Sequence, residues 1–138
     1  MDDQDERIAS VFDAEEIPEV SYETLKIYLQ HIKDNIDAAC EITGIEDFEW
    51  EEYYIFGPGG SKKEYEKLRK TRPSYKDRYK IISFDNDPDQ DYGILVNLRR
   101  ISDGKEFTLP LADLKATDKK NQSYQILDDY SVWFVNWR

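Results

Sequence analysis

The spacing of apolar residues changes character at Gly44, and that change restricts the fold more than any other feature of the chain. Ser21 reads as a helix N-cap, with Glu23 near the positive end of the helix dipole. After it Leu25, Tyr28, Leu29, Ile32, Ile36, Ala39 and Cys40 recur at the three-to-four spacing of one helical face. This predicts an amphipathic helix near residues 21–42, closed at or soon after Gly44. Beyond Gly44 the apolar residues gather in short aromatic and β-branched stretches. By composition residues 48–56, 79–84, 92–101, 106–111 and 131–137 read as strands. Asp103-Gly104 sits between two of them and is the dipeptide favoured by a tight type I′ hairpin. A short second helix is expected over residues 61–72, where Ser61 and Glu64 form a capping box and Pro73 turns Arg72 away from helical geometry.

One helix, several short strands and tight turns predict an α+β fold. The specific form expected is a small SH3-like half-open β barrel, with an N-terminal amphipathic helix and a short second helix. Its core should include Leu25, Ile32, Ile36, Phe107, Leu109, Val132 and Phe134. Residues 1–20 are polar apart from Ile8, Val11, Phe12, Ile17 and Val20 and are interrupted by Pro18, so they read as an acidic flexible arm. Residues 21–138 then form a single domain.

Charge narrows the function. The 138 residues carry a net charge of −11, which opposes docking on phosphate backbones or anionic lipid and favours cations or a basic protein partner. The charge is unevenly placed: residues 1–20 and 21–57 each carry −7, residues 58–82 carry +6, and residues 83–92 carry −4. The basic stretch from Lys62 to Lys80, interleaved with Tyr65, Tyr75 and Tyr79, has the composition of a nucleic-acid face. It reads better as a solvated surface balanced by the acidic segments of the same molecule. No apolar run approaches the ~20 residues of a membrane span. The acidic amino terminus is unlike a cationic signal peptide, and the single cysteine agrees with a reducing compartment. The expected location is the cytoplasm.

Catalytic constellations are missing from the sequence. His31 and Cys40 are the only histidine and cysteine, and nine positions on a helix, about 900° of rotation, set them on opposite faces. Two such residues also fall short of a structural zinc site. The run from Gly57 to Lys63 lacks the hydroxyl that follows the lysine of a phosphate loop and comes after five acidic residues, so it reads as a turn and helix cap. The chain is expected not to be an enzyme.

Carboxylates remain. Asp85, Asp87, Asp89 and Asp91 alternate in a loop between two expected strands, with Pro88 stiffening it. A turning loop with this spacing can aim several oxygens at one point, as calcium requires. It is not an EF-hand, because Tyr92 stands where that loop needs glycine and Leu98 where it needs a bidentate glutamate. A second cluster runs from Glu46 to Glu52. Read as a strand, it would place Asp47, Glu49 and Glu51 on one side and Glu46 on the other. Asp85, Asp87, Asp89 and Asp91, completed by a carboxylate of the second cluster such as Glu46, Asp47 or Glu51 or by a backbone carbonyl, are the expected calcium ligands.

Four stretches, residues 43–48, 70–75, 109–118 and 128–136, resemble the cyanobacterial calcium-binding protein family, small acidic proteins without EF-hands. The similarity covers the chain from about Cys40 onward. It implies Ca2+ binding through acidic surface clusters and a non-catalytic buffering or sensing role in the cytoplasm. The alternative expectation is an SH3-like module that binds a basic protein segment, or nucleic acid through the basic helix.

Overall fold

A computed structural model describes residues 2–55 and 61–138. Helices α1 (Asp3–Val11) and α2 (Tyr22–Asn35) lead into strand β1 (Glu41–Gly44), followed by short helices α3 (Glu49–Ile55) and α4 (Lys62–Leu68). The meander β2 (Arg78–Phe84), β3 (Leu95–Arg100) and β4 (Glu106–Pro110) comes next. A 3-10 turn at Leu111–Asp113 feeds β5 (Leu114–Ala116), and helix α5 (Gln122–Asn136) follows. The five strands form one antiparallel open sheet in the order β4-β3-β2-β1-β5. The fold is α+β, as expected.

Helix α2 begins where its sequence says it should. The Ser21 side chain accepts from the Thr24 N–H, and Thr24 Oγ1 accepts from the Ser21 N–H in return, a reciprocal cap. Leu25, Tyr28, Leu29 and Ile32 then face inward. The helix stops at Asn35 rather than near residue 42, because Ile36 turns to extended backbone and residues 41–44 join the sheet. Leu25, Ile32 and Phe134 are core residues; Ile36, Phe107, Leu109 and Val132 pack half-buried against them.

Two expected strands are helices. Residues 131–137 lie largely in α5, whose buried Ile126, Leu127, Tyr130, Trp133 and Phe134 repeat at helical spacing. Trp133 is fully buried, stacks on Tyr28 at 4.9 Å and donates its indole N–H to the Pro18 carbonyl at 2.9 Å. In α3, Glu51 is the third helical residue and reaches back to accept from the Phe48 N–H, which caps the helix start. Residue 56 of that stretch, and residues 57–60 of the glycine run, lie outside the described residues.

The amino-terminal stretch is not a loose arm. Asp2 caps α1 by accepting from the Asp5 N–H, Ile8 is fully buried, and Arg7 forms an ion pair with Asp129 of α5 at 2.9 Å. Phe12 packs against Tyr28 and Trp133. Burying a side chain of this size contributes roughly 1.5–3 kcal/mol, enough to hold a nine-residue helix. The hairpin between β3 and β4 also differs from expectation: Gly104 has φ +76°, while Asp103 does not adopt a positive φ. The loop is closed by Arg100 N–H to the Lys105 carbonyl and Gly104 N–H to the Arg100 carbonyl, and is longer than a two-residue type I′ turn.

Candidate metal centre

The aspartate loop is committed to its own architecture. Asp85 accepts from the Asn97 amide at 3.0 Å, and Asp87 accepts from the Tyr22 hydroxyl at 2.6 Å, a bond that pushes the Tyr22 phenol up. Asp89 Oδ1 accepts from the N–H groups of Asp91 and Tyr92 at 2.7 and 2.9 Å, while its backbone pairs with Gly93. Between them Asn86 receives Lys26 on its backbone carbonyl and Lys33 on its side-chain oxygen. The alternation that reads as a converging ligand set therefore serves a turn docked onto α2, with two ammonium groups beside it.

The second cluster is reorganised by α3. Glu51 is fully buried and accepts four hydrogen bonds, from the N–H groups of Phe48 and Tyr75 and the hydroxyls of Tyr65 and Ser74. It holds α3 and α4 to the start of β2, and its oxygens have no free face for a cation. The rest of the cluster turns outward. Glu46, Asp47, Glu49 and Glu52 line one cleft of 420 Å3 together with Asp113 from the 3-10 turn. The Ile45 N–H, donating to the Asp113 carbonyl at 2.9 Å, fixes the two walls. None of these five carboxylates is in an ion pair among the described residues. Packing around its carboxyl, and then the charges of Glu46 and Glu49, push Asp113 above the ordinary carboxylate range. Among the described residues no three His, Cys, Asp or Glu side chains stand gathered as around a bound metal.

Glu46 and Asp47 are thus brought into one acidic surface, and Asp85, Asp87, Asp89 and Asp91 are not. Glu49, Glu52 and Asp113, which line the same cleft, stand outside the set of expected ligands. Reading residues 46–52 at helical spacing would have placed Glu49 and Glu52 on one side. Asp113 gives no local signal, since only the sheet brings β5 beside β1.

The remaining sequence candidates are absorbed structurally. Arg69, Arg78 and Arg100 of the basic stretch and its neighbour strand pair with Glu66, Asp77, Glu41 and Asp103. Arg72 and Lys76 lie over the rings of Trp50, Tyr65 and Tyr75. His31 borders Tyr28 and is held below its ordinary value by burial, while burial pushes the Cys40 thiol up. Neither is poised as a nucleophile or its base. Among the described residues no helix is long and apolar enough to cross a membrane.

Comparison with known proteins places part of the chain in a described family. The profile of a family described as calcium binding, of the CcbP type, matches residues 61–134. The matched segment contains the aspartate loop and Asp113 but stops short of residues 46–52. No curated protein and no solved structure matches the chain.

Proposed function

Because the chain belongs to the CcbP-type calcium-binding family, we propose that it is a non-catalytic calcium-binding protein that buffers or senses Ca2+ in the cytoplasm, with its principal site in the cleft of Glu46, Asp47, Glu49, Glu52 and Asp113. The observation that carries the placement is that five carboxylates, none of them in an ion pair among the described residues, line one cleft. Calcium is a hard cation that takes six to eight oxygens in flexible geometry at about 2.3–2.6 Å. Mutual repulsion spreads these side chains, and a dication removes it. Rotation of the glutamate side chains, with water filling the remaining positions, completes the coordination. An incomplete cage of this kind suits micromolar to millimolar affinity.

A second reading keeps the site in the loop of Asp85, Asp87, Asp89 and Asp91, and the family match over that loop favours it. The two separate in calorimetric calcium titrations at fixed ionic strength. Asp113→Asn with Glu49→Gln should weaken binding at least tenfold, about 1.4 kcal/mol, and Asp87→Asn with Asp89→Asn should weaken it less. The reverse ranking would move the site to the loop.

We infer further that the sheet is a small half-open barrel of the SH3-like kind. A sheet whose first and last strands are neighbours, entered at β5 through a 3-10 turn, supports the half-open SH3-like barrel. In that barrel the acidic cleft lies where the turn before β5 meets the β1–α3 connection.

A further inference from the structure

An apolar groove of 600 Å3 adjoins the acidic cleft, lined by Phe48, Trp50, Tyr92, Leu95, Leu109 and Pro110. Its volume is within the range of about 300–1,000 Å3 usual for binding pockets. The groove is held open by secondary structure rather than by loops alone. Leu95 and Leu109 stand on β3 and β4. The Trp50 indole is fixed by its N–H to the Pro73 carbonyl at 2.6 Å and by the Arg72 guanidinium over its ring at 5.5 Å. Tyr92 is 53% exposed at the rim. Glu49 and Asp113 line this groove as well as the cleft.

These two shared carboxylates decide what the groove accepts. An uncharged apolar ligand would cover them without a partner, which is unfavourable. An anionic segment would be repelled by them and by a chain of net charge −11. A segment that places a large aliphatic side chain in the groove and a lysine or arginine beside it satisfies both surfaces. We propose that the groove docks such a cationic, leucine-bearing peptide segment of a partner protein, and that calcium in the adjoining cleft releases it by taking Glu49 and Asp113. The release rests on the cleft reading above; the docking does not.

The probe is a fluorescein-labelled decapeptide of alternating lysine and leucine, followed by anisotropy with the full chain at constant ionic strength. Two control peptides carry serine for leucine or glutamate for lysine. The lysine–leucine peptide should bind at least tenfold tighter than either control and shift the Trp50 indole resonance. Tyr92→Ala should weaken the peptide at least fivefold with calcium affinity, measured in parallel by calorimetry, unchanged. Saturating calcium should weaken the peptide at least tenfold, and magnesium less. Equal binding of the serine peptide, or resonance shifts away from Trp50, would overturn the docking. Self-association of the free protein through the groove would overturn it too, by showing a second copy as the occupant. Peptide binding indifferent to calcium, in a protein whose calorimetric titration still depends on Glu49 and Asp113, would overturn the release while leaving the cleft intact. If calcium binding does not depend on those residues, the cleft reading fails and the docking result stands alone.

Discussion

Glu51 should be the residue whose loss costs the fold most for the fewest atoms removed. It has no exposed surface, and its oxygens divide four donors. Oε1 accepts the N–H groups of Phe48 at 3.2 Å and Tyr75 at 2.8 Å, and Oε2 accepts the hydroxyls of Tyr65 at 2.5 Å and Ser74 at 2.7 Å. The consequence for Tyr65 is a phenol pushed up to about 12, by burial first and by the bond to Glu51 second. Glu51→Ala leaves all four donors without their acceptor. A buried unsatisfied polar group costs about 1–3 kcal/mol, so even the low end for each gives about 4 kcal/mol. Small domains have only about 5–15 kcal/mol in total. Glu51→Gln keeps one oxygen for the two backbone donors and presents an amide to two hydroxyls that can rotate to accept it. Its cost is the exchange of charge-assisted for neutral hydrogen bonds, about 1–2 kcal/mol. Urea unfolding followed by tryptophan fluorescence and far-ultraviolet circular dichroism measures both values, provided the denaturant slope is unchanged. An alanine variant within about 1 kcal/mol of the parent would refute the network's role, since that is the size of a single ordinary hydrogen bond. A glutamine variant as damaged as alanine would show that the negative charge, and not the arrangement of donors, is what the site needs.

Three further outcomes are expected. Asp113 is raised in the folded state, so its contribution favours folding while it keeps its proton and declines as pH climbs through the raised value; Asp113→Asn should stabilise the calcium-free protein at neutral pH, with the gain vanishing in acid denaturation profiles below pH about 4. Gly93→Ala should destabilise by about 2 kcal/mol or more, because Gly93 has φ +72° and a Cβ there would meet the Tyr130 hydroxyl at 2.5 Å and the Phe134 ring at 2.6 Å; a thermal melt unchanged from the parent would contradict this. Calcium should raise the melting temperature more than magnesium at equal concentration, since magnesium sheds water reluctantly and demands octahedral geometry; equal shifts would indicate screening of the net charge alone.

Where the sequence was legible, a short-range signal and the tertiary structure agreed. Ser21 and Ser61 cap the helices they were expected to cap, and residues 79–84 and 106–111 contain strands close to their expected bounds. The failures have a common cause. Tyr130, Val132, Trp133, Phe134, Val135 and Trp137 are strand-favouring by composition, yet burial selects the three-to-four spacing that begins at Ile126, and Asn121 caps the helix outside the stretch that drew attention. Likewise residues 46–52 alternate acid and aromatic in a strand-like way, but three glutamates in a first helical turn and the backward reach of Glu51 favour α3. Helix α3 then divides the acidic cluster, sending Glu51 inward and Glu49 and Glu52 to the cleft. In the aspartate loop the same spacing also suits a turn built on Asx hydrogen bonds, and Asp89 makes two of them.

The pairing of β1 with β5 sets Ile42 opposite Ala116, whereas β2, β3 and β4 each pair with the strand before them. On the ribosome these events are separated in time. The meander can form as soon as β4 leaves the exit tunnel, because its strands are consecutive and the loops between them, residues 85–94 and 101–105, close at modest entropic cost. The free edge of β1 and the apolar face of the sheet must wait for β5 and then for α5, which carries Tyr130, Trp133 and Phe134 onto them. Translation stalled between β4 and α5 leaves an open strand edge beside an uncovered apolar face, the combination that templates aggregation. Nascent chains halted before residue 114 should therefore require chaperone protection that chains released after residue 136 do not.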